Sequence, residues 1–173
     1  MKNIIASCKE WHEETFEKLS NSNSDVSWEL VTSPNELIDI LENISVKYIF
    51  FLHWSWKVPD SIWKNYECVC FHMTDLPYGR GGSPLQNLIV RGHKNTKITA
   101  FKMVQDYDSG PIYTKTNLSL SGSAFEIFKR ASEKCFEMID WINRNNPKGK
   151  PQEGEVVYFK RRTGSDNYLD LNM

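Results

Sequence analysis

The 173-residue chain has no C-x-x-C pair, no apolar run near membrane-spanning length and no excess of either charge. Each absence excludes a class. Cys8, Cys68, Cys70 and Cys135 lack the spacing of zinc ligands, so they read as reduced, mostly structural thiols, and no metal is expected. Met1 to Glu10 meets charge too early for a signal peptide, and nothing later is apolar for long enough to span a bilayer. A cytoplasmic protein without membrane attachment is expected. A net charge of −1 gives no general electrostatic case for DNA or RNA. Also missing is a glycine-rich turn after the first strand. Ser7-Cys8-Lys9-Glu10-Trp11-His12 stands there, with Glu13 and Glu14 next, and offers no grip for a dinucleotide or phosphate.

What is present alternates between strand and helix. Residues 2–7 read as a strand, Glu10 to Leu19 as a helix with Trp11, Phe16 and Leu19 inward, and Ser27 to Val31 as a second strand. Ser33-Pro34-Asn35-Glu36 is a capping box opening a helix whose Leu37, Ile40, Leu41 and Ile44 share a face. Tyr48 to Leu52, apolar throughout, reads as a buried parallel strand. This order predicts an α/β fold, a doubly wound and mostly parallel sheet with flanking helices. Ser123 to Asn143 is the longest helix. It carries another capping box (Ser123, Glu126), and its stripe through Ala124, Ile127, Phe128, Ala131, Cys135, Met138, Ile139 and Ile142 reads as core packing.

Candidate chemistry concentrates between Phe71 and Pro84. Tyr66 to Phe71 is rich in strand formers, so His72 falls at a strand's carboxyl end, where open α/β sheets bind ligands. Ser83, Pro84 and Gln86 mark a helix start, with Ser83 as cap. Gly79, Gly81 and Gly82 leave a backbone bare enough for a substrate to come close. Asp108 lies in the tight turn Gln105 to Pro111, after a strand predicted from Lys97 to Val104, on the same edge. An aspartate accepting from one imidazole nitrogen fixes the tautomer and leaves the other nitrogen for proton transfer. Trp54 and Trp56 either line a flat aromatic pocket or belong to the core.

The pattern His72-x-Thr74-x-x-Pro77-x-x-Arg80-Gly81-x-x-Pro84, then Gly92, Thr96, Thr99 and Asp108-x-Gly110-x-Ile112, resembles the folate-dependent formyltransferase family. The resemblance implies a Rossmann-like formyltransferase fold. It also implies transfer of a formyl group from the co-substrate 10-formyltetrahydrofolate to a primary amine. His72 would handle protons, and Asp108 would orient it and help deprotonate the amine. Trp54, Trp56, Val58 and Pro59 would line the folate pocket, with Val104, Tyr107 and Asp108 opposite. Thr74, Pro77, Arg80, Gly81 and Gly82 would meet the acceptor. Cys70 stands where the family has asparagine, an amide donor to the oxyanion, and a thiol is a poor donor. His53 and Asn87 are the candidate replacements. The catalytic domain is expected over 1–146, with 147–173 a linker, a strand at Glu155 to Phe159 and a tail on the same domain.

The acceptor follows by elimination. The family's tRNA enzyme carries a further C-terminal domain, and the chain ends soon after the core with little net charge, which disfavours tRNA. The ribonucleotide enzyme's phosphate loop is missing. A 4-amino-4,6-dideoxy sugar nucleotide, UDP- or dTDP-linked as in pseudaminic-acid-type pathways, is therefore expected, with a homodimer in keeping with the family. Lys160, Arg161 and Arg162 would meet its pyrophosphate. The alternatives are a divergent methionyl-tRNA formyltransferase, a folate-binding protein without catalysis, and a hydrolase releasing formate.

Overall fold

The computed structural model describes residues 2–22 and 25–167. The chain runs through β1 (Lys2–Ser7), a 3₁₀ turn (Glu10–His12), α1 (Glu13–Ser22), β2 (Ser27–Val31), α2 (Pro34–Asn43), β3 (Val46–Leu52) and α3 (Asp60–Trp63). It continues with β4 (Cys68–His72), β5 (Tyr78–Gly81), α4 (Pro84–Val90), β6 (Asn95–Lys102), β7 (Ile112–Ser119), α5 (Ala124–Asn145) and β8 (Val157–Phe159). Six strands form one sheet in the order β2-β1-β3-β4-β6-β7. The pairings among β1 to β4 are parallel, as the strand–helix alternation predicts. β6 adds antiparallel to β4, and β7 adds antiparallel to β6 because the short connection between them allows a hairpin and leaves no room for a crossover helix.

Both faces of the sheet are buried. Ile5, Phe50, Leu52 and Val69 point to one side, under α1, α4 and α5; Ile4, Ile49, Phe51 and Cys68 point to the other, toward α2 and α3. The change of side at each successive residue follows from the pleat. It makes the run Tyr48 to Leu52 apolar without interruption.

Three local expectations change. The first helix begins only at Glu13, and the 3₁₀ turn before it brings His12 inward (0% exposed) while Trp11 is left 48% exposed. Ser83 does not cap α4. Its backbone is left-handed (φ +50°), and its hydroxyl accepts from the Arg162 N–H at 3.1 Å. At α2, Ser33 caps as read, but Glu36 turns to the backbone N–H of Thr32 at 2.7 Å. The Ser123–Glu126 box closes in both directions.

β8 pairs with β5 in a separate two-stranded ribbon, and Lys150 and Ile112 exchange backbone hydrogen bonds at 2.7 and 2.9 Å. Of the tail expected from Gly164, residues 164–167 form a 3₁₀ turn and 168–173 lie outside the described residues.

Candidate active site

His72 closes β4 at the carboxyl edge of the parallel strands, and Asp108 stands in the β6–β7 connection with a left-handed backbone (φ +54°). The His72 ring donates through Nε2–H to the Gly79 carbonyl at 2.8 Å. With the proton held there, the neutral ring carries its lone pair on Nδ1, which faces Asp108 Oδ1 at 3.8 Å. That separation exceeds a hydrogen bond. The expectation that Asp108 fixes the tautomer is therefore corrected: the Gly79 carbonyl does so. The other Asp108 oxygen accepts from the Gly81 N–H at 2.8 Å, which fixes the carboxylate's position opposite the ring.

The glycine loop serves a purpose other than the one expected. A Cβ at Gly79 would lie 2.7 Å from the Phe159 ring, one at Gly81 2.5 Å from the Phe159 carbonyl, and one at Gly82 2.6 Å from Arg161 Cβ. What comes close to this backbone is the chain's own β8 and the residues after it. Arg80 is bound by Gln152, which accepts from its Nε at 3.1 Å and its Nη2 at 2.8 Å. Thr74 is fully buried, and the Pro77 carbonyl accepts from the Val157 N–H at 3.3 Å. Thr74, Pro77, Arg80, Gly81 and Gly82 thus buttress the His72–Asp108 pair from behind and do not line the cleft in front of it.

That cleft encloses about 610 Å³. Trp54, Trp56, Val58, Val104, Tyr107, Asp108, Cys70 and His72 all lie in its wall, brought there from the β3–α3 connection, β4 and the β6–β7 loop. Pro59 does not; it opens α3. The Trp54 and Trp56 rings meet edge to face at 4.9 Å and 67°. Flat indoles beside a half-buried carboxylate suit a planar heteroaromatic with hydrogen-bonding edges, so the wall fits the pterin end of a folate. Burial, with Cys68 and Asp108 nearby, pushes the Cys70 thiol up, so the group remains a neutral, weak donor. Asn87 is not its replacement, because its amide nitrogen already donates to the carbonyls of Gly82, Ser83 and Lys160.

Sequence reasoning missed the α5 side of the cleft. Phe128, Ala131 and Cys135 line it, although their helical spacing reads as core. The available signal was strand parity. Leu52 and Phe71 face α5 from the same strand ends that carry Phe51 and Cys70 toward α2 and α3. His12 was missed as well. It is held at both ring nitrogens, by Ser7 Oγ at 2.6 Å and Ser132 Oγ at 2.8 Å.

No family model matches the sequence. A solved structure of a methionyl-tRNA formyltransferase from Clostridium thermocellum does, with 44% identity and a TM-score of 0.92 over 99% of this chain and 79% of that one. The chain belongs to the folate-dependent formyltransferase family. Among curated formyltransferases, the methionyl-tRNA enzyme of Mycoplasma capricolum is 29% identical over 154 residues, 82% of this chain and 49% of that protein. The chain spans about half the length of this curated relative. The sugar formyltransferase PseJ from Anoxybacillus kamchatkensis, solved with a UDP-linked 4-formamido sugar and tetrahydrofolate, shares the fold at a TM-score of 0.71 but only 14% identity, over 92% of this chain and 85% of that one.

These figures overturn the sugar-nucleotide reading and the exclusion of tRNA. Both rested on weak grounds. A net charge sums over the whole chain and is blind to where cations sit. Lys160 and Arg161 are exposed beside the glycine loop, where Arg161 packs on Gly82. Among the described residues, no helix is long and apolar enough to cross a membrane.

Proposed function

We propose that this chain is a formyltransferase core that moves the formyl group of 10-formyltetrahydrofolate to the α-amino group of methionyl-tRNA. The observation that carries the acceptor is the 44% identity to the Clostridium thermocellum methionyl-tRNA formyltransferase across nearly the whole chain. The division into a catalytic unit over 1–146 and a C-terminal strand and tail belongs to the same proposal, supported by the pairing of β8 with β5.

10-Formyltetrahydrofolate, when bound, supplies an activated formyl carbon. Trp54, Trp56, Val58 and Val104 would hold its ring system and exclude water from it. An amine attacks only when neutral, so its proton needs an acceptor. In the neutral ring, His72 Nδ1 offers that lone pair, because Nε2–H is committed to Gly79. Asp108, 3.8 Å away and anchored by the Gly81 N–H, stabilises the imidazolium that results. The gap between them is where an amine nitrogen would reach both groups.

The test is formyl transfer by the full chain from 10-formyltetrahydrofolate to methionyl-tRNA, with uncharged tRNA as control. Formyl-methionyl ester is the expected product. Bound tetrahydrofolate without any transfer would replace the proposal with a folate-binding protein.

A further inference from the structure

Gln152 lies in the connection between α5 and β8, 44 residues beyond Asp108 and 72 beyond Arg80. Its side-chain oxygen accepts from Arg80 Nε at 3.1 Å and Nη2 at 2.8 Å. Its Nε2 donates to the main-chain carbonyls of Asp108 at 2.8 Å and Gly110 at 3.0 Å. A primary amide has two lone pairs and two N–H groups, and all of them are used here. The guanidinium has donors only, so it fixes the amide oxygen toward itself. The NH₂ end must then face the turn.

That turn is a demanding piece of backbone. Asp108 is left-handed at φ +54°, a region that residues with a side chain seldom occupy. A Cβ at Gly110 would lie 1.8 Å from the Lys102 carbonyl, so the turn closes tightly on the end of β6. The residues before Gln152 run alongside: Lys150 exchanges backbone hydrogen bonds with Ile112, and a Cβ at Gly149 would lie 2.8 Å from Pro111 Cβ. Backbone pairing thus holds Ile112, and the Gln152 side chain extends the hold to Gly110 and Asp108. Asp108 is gripped twice, by Gln152 at its carbonyl and by the Gly81 N–H at its carboxylate. Arg80 and Gly81 are neighbours on β5, so the two grips close a ring through one strand.

Resting on the proposed function, we infer that Gln152 is a positioning residue for the transfer. It sets the Asp108 carboxylate opposite His72 by holding the backbone from which that carboxylate projects. It does not line the cleft, so it acts through Asp108. The role calls for an amide. A glutamate keeps an acceptor toward Arg80 but turns a second oxygen on two carbonyls, exchanging two hydrogen bonds for repulsion. A methionine has similar length and makes neither set of bonds. Misplacing a group by about 1 Å can cost about 100-fold in rate, so a slack turn should be visible in kcat.

The experiment measures kcat with methionyl-tRNA for Gln152→Glu and Gln152→Met in the full chain, each alone and combined with Asp108→Asn. Urea midpoints confirm that each variant is folded, and NMR follows hydrogen exchange at the Gly81 amide. Each single variant should lower kcat by about tenfold or more. In the Asp108→Asn background the same substitution should change kcat by less than about twofold, since the charge it positions is gone. The Gly81 N–H should exchange about tenfold faster in both variants, with amides in the middle of α5 unchanged. A Gln152→Glu kcat within about twofold of the wild type overturns the inference. So does a loss that persists undiminished beside Asp108→Asn, which marks Gln152 as structural support alone. If the wild type formylates no methionyl-tRNA, the proposed function falls, and Gly81 exchange decides the positioning by itself. Faster exchange in both variants then upholds it, and unchanged protection overturns it.

Discussion

His72 and Asp108 face each other at 3.8 Å without a hydrogen bond, each anchored from behind by the glycine loop: Nε2–H of His72 on the Gly79 carbonyl, and Asp108 Oδ2 on the Gly81 N–H. One four-residue strand, β5, therefore sets the ring's tautomer and the carboxylate's position together. β5 is itself pinned by β8.

Asp108→Asn should lower kcat by about 10²- to 10⁴-fold while leaving tetrahydrofolate affinity largely intact. An amide oxygen can still accept from Gly81, and asparagine tolerates the left-handed backbone, so the fold is kept and only the charge beside His72 is lost. His72→Ala should produce a loss of the same order. Near-normal turnover in either variant, measured with methionyl-tRNA, refutes the assigned roles.

Cys70→Asn should preserve or raise the transfer rate, since it places an amide donor where a poor one stands. Burial also holds the Cys70 thiol protonated and keeps that of Cys135 at about 12. Neither should react with iodoacetamide at pH 8 within the time a free thiol is consumed. Mass spectrometry of the alkylated protein checks this directly.

Gly81→Ala should destabilise the protein by more than about 1 kcal/mol, because the new Cβ meets the Phe159 carbonyl and φ is +104°. Transfer should fall with it, since the β5–β8 ribbon carries the Gly81 N–H that holds Asp108. Gly92→Ala is the control. It shares a positive φ but has nothing within 4 Å, and should cost stability without lowering kcat. Denaturant midpoints together with kcat separate the two effects.

Stability should decline as the pH falls from about 6.5 toward about 4. His12 is held at about 4, first by burial and then by the neighbouring His53 and Lys9; His53 is held at about 4 by burial and Lys9. In the unfolded chain both imidazoles protonate near 6.5. Across that window the unfolded state binds more protons, so acid favours unfolding, by up to roughly 3 kcal/mol for each ring. Urea midpoints at pH 7.5 and 4.5 measure the effect. His12→Gln should flatten it, and a wild-type midpoint unchanged over this range contradicts the assignment of two neutral buried rings.

The sequence by itself determined the parallel half of the sheet, the long helix α5 and the place of His72 at a strand's carboxyl end. Each depends on local signals: apolar runs, helical spacing and capping residues act within a few positions of one another. Motif spacing also placed the chain in its family. Only the tertiary structure decided that the glycines make room for Phe159 and Arg161, residues some eighty positions away, and that Ser83 receives Arg162 where a helix cap was expected. Nothing near a glycine says which backbone will come close to it. The same holds for the α5 side of the cleft. Phe128, Ala131 and Cys135 have the spacing of core residues, and only the wrapping of α5 over the ends of β3 and β4 turns them into the wall of a cleft. The acceptor was misjudged for a related reason: length and net charge are sums over the chain, whereas recognition depends on which groups the fold gathers at one edge.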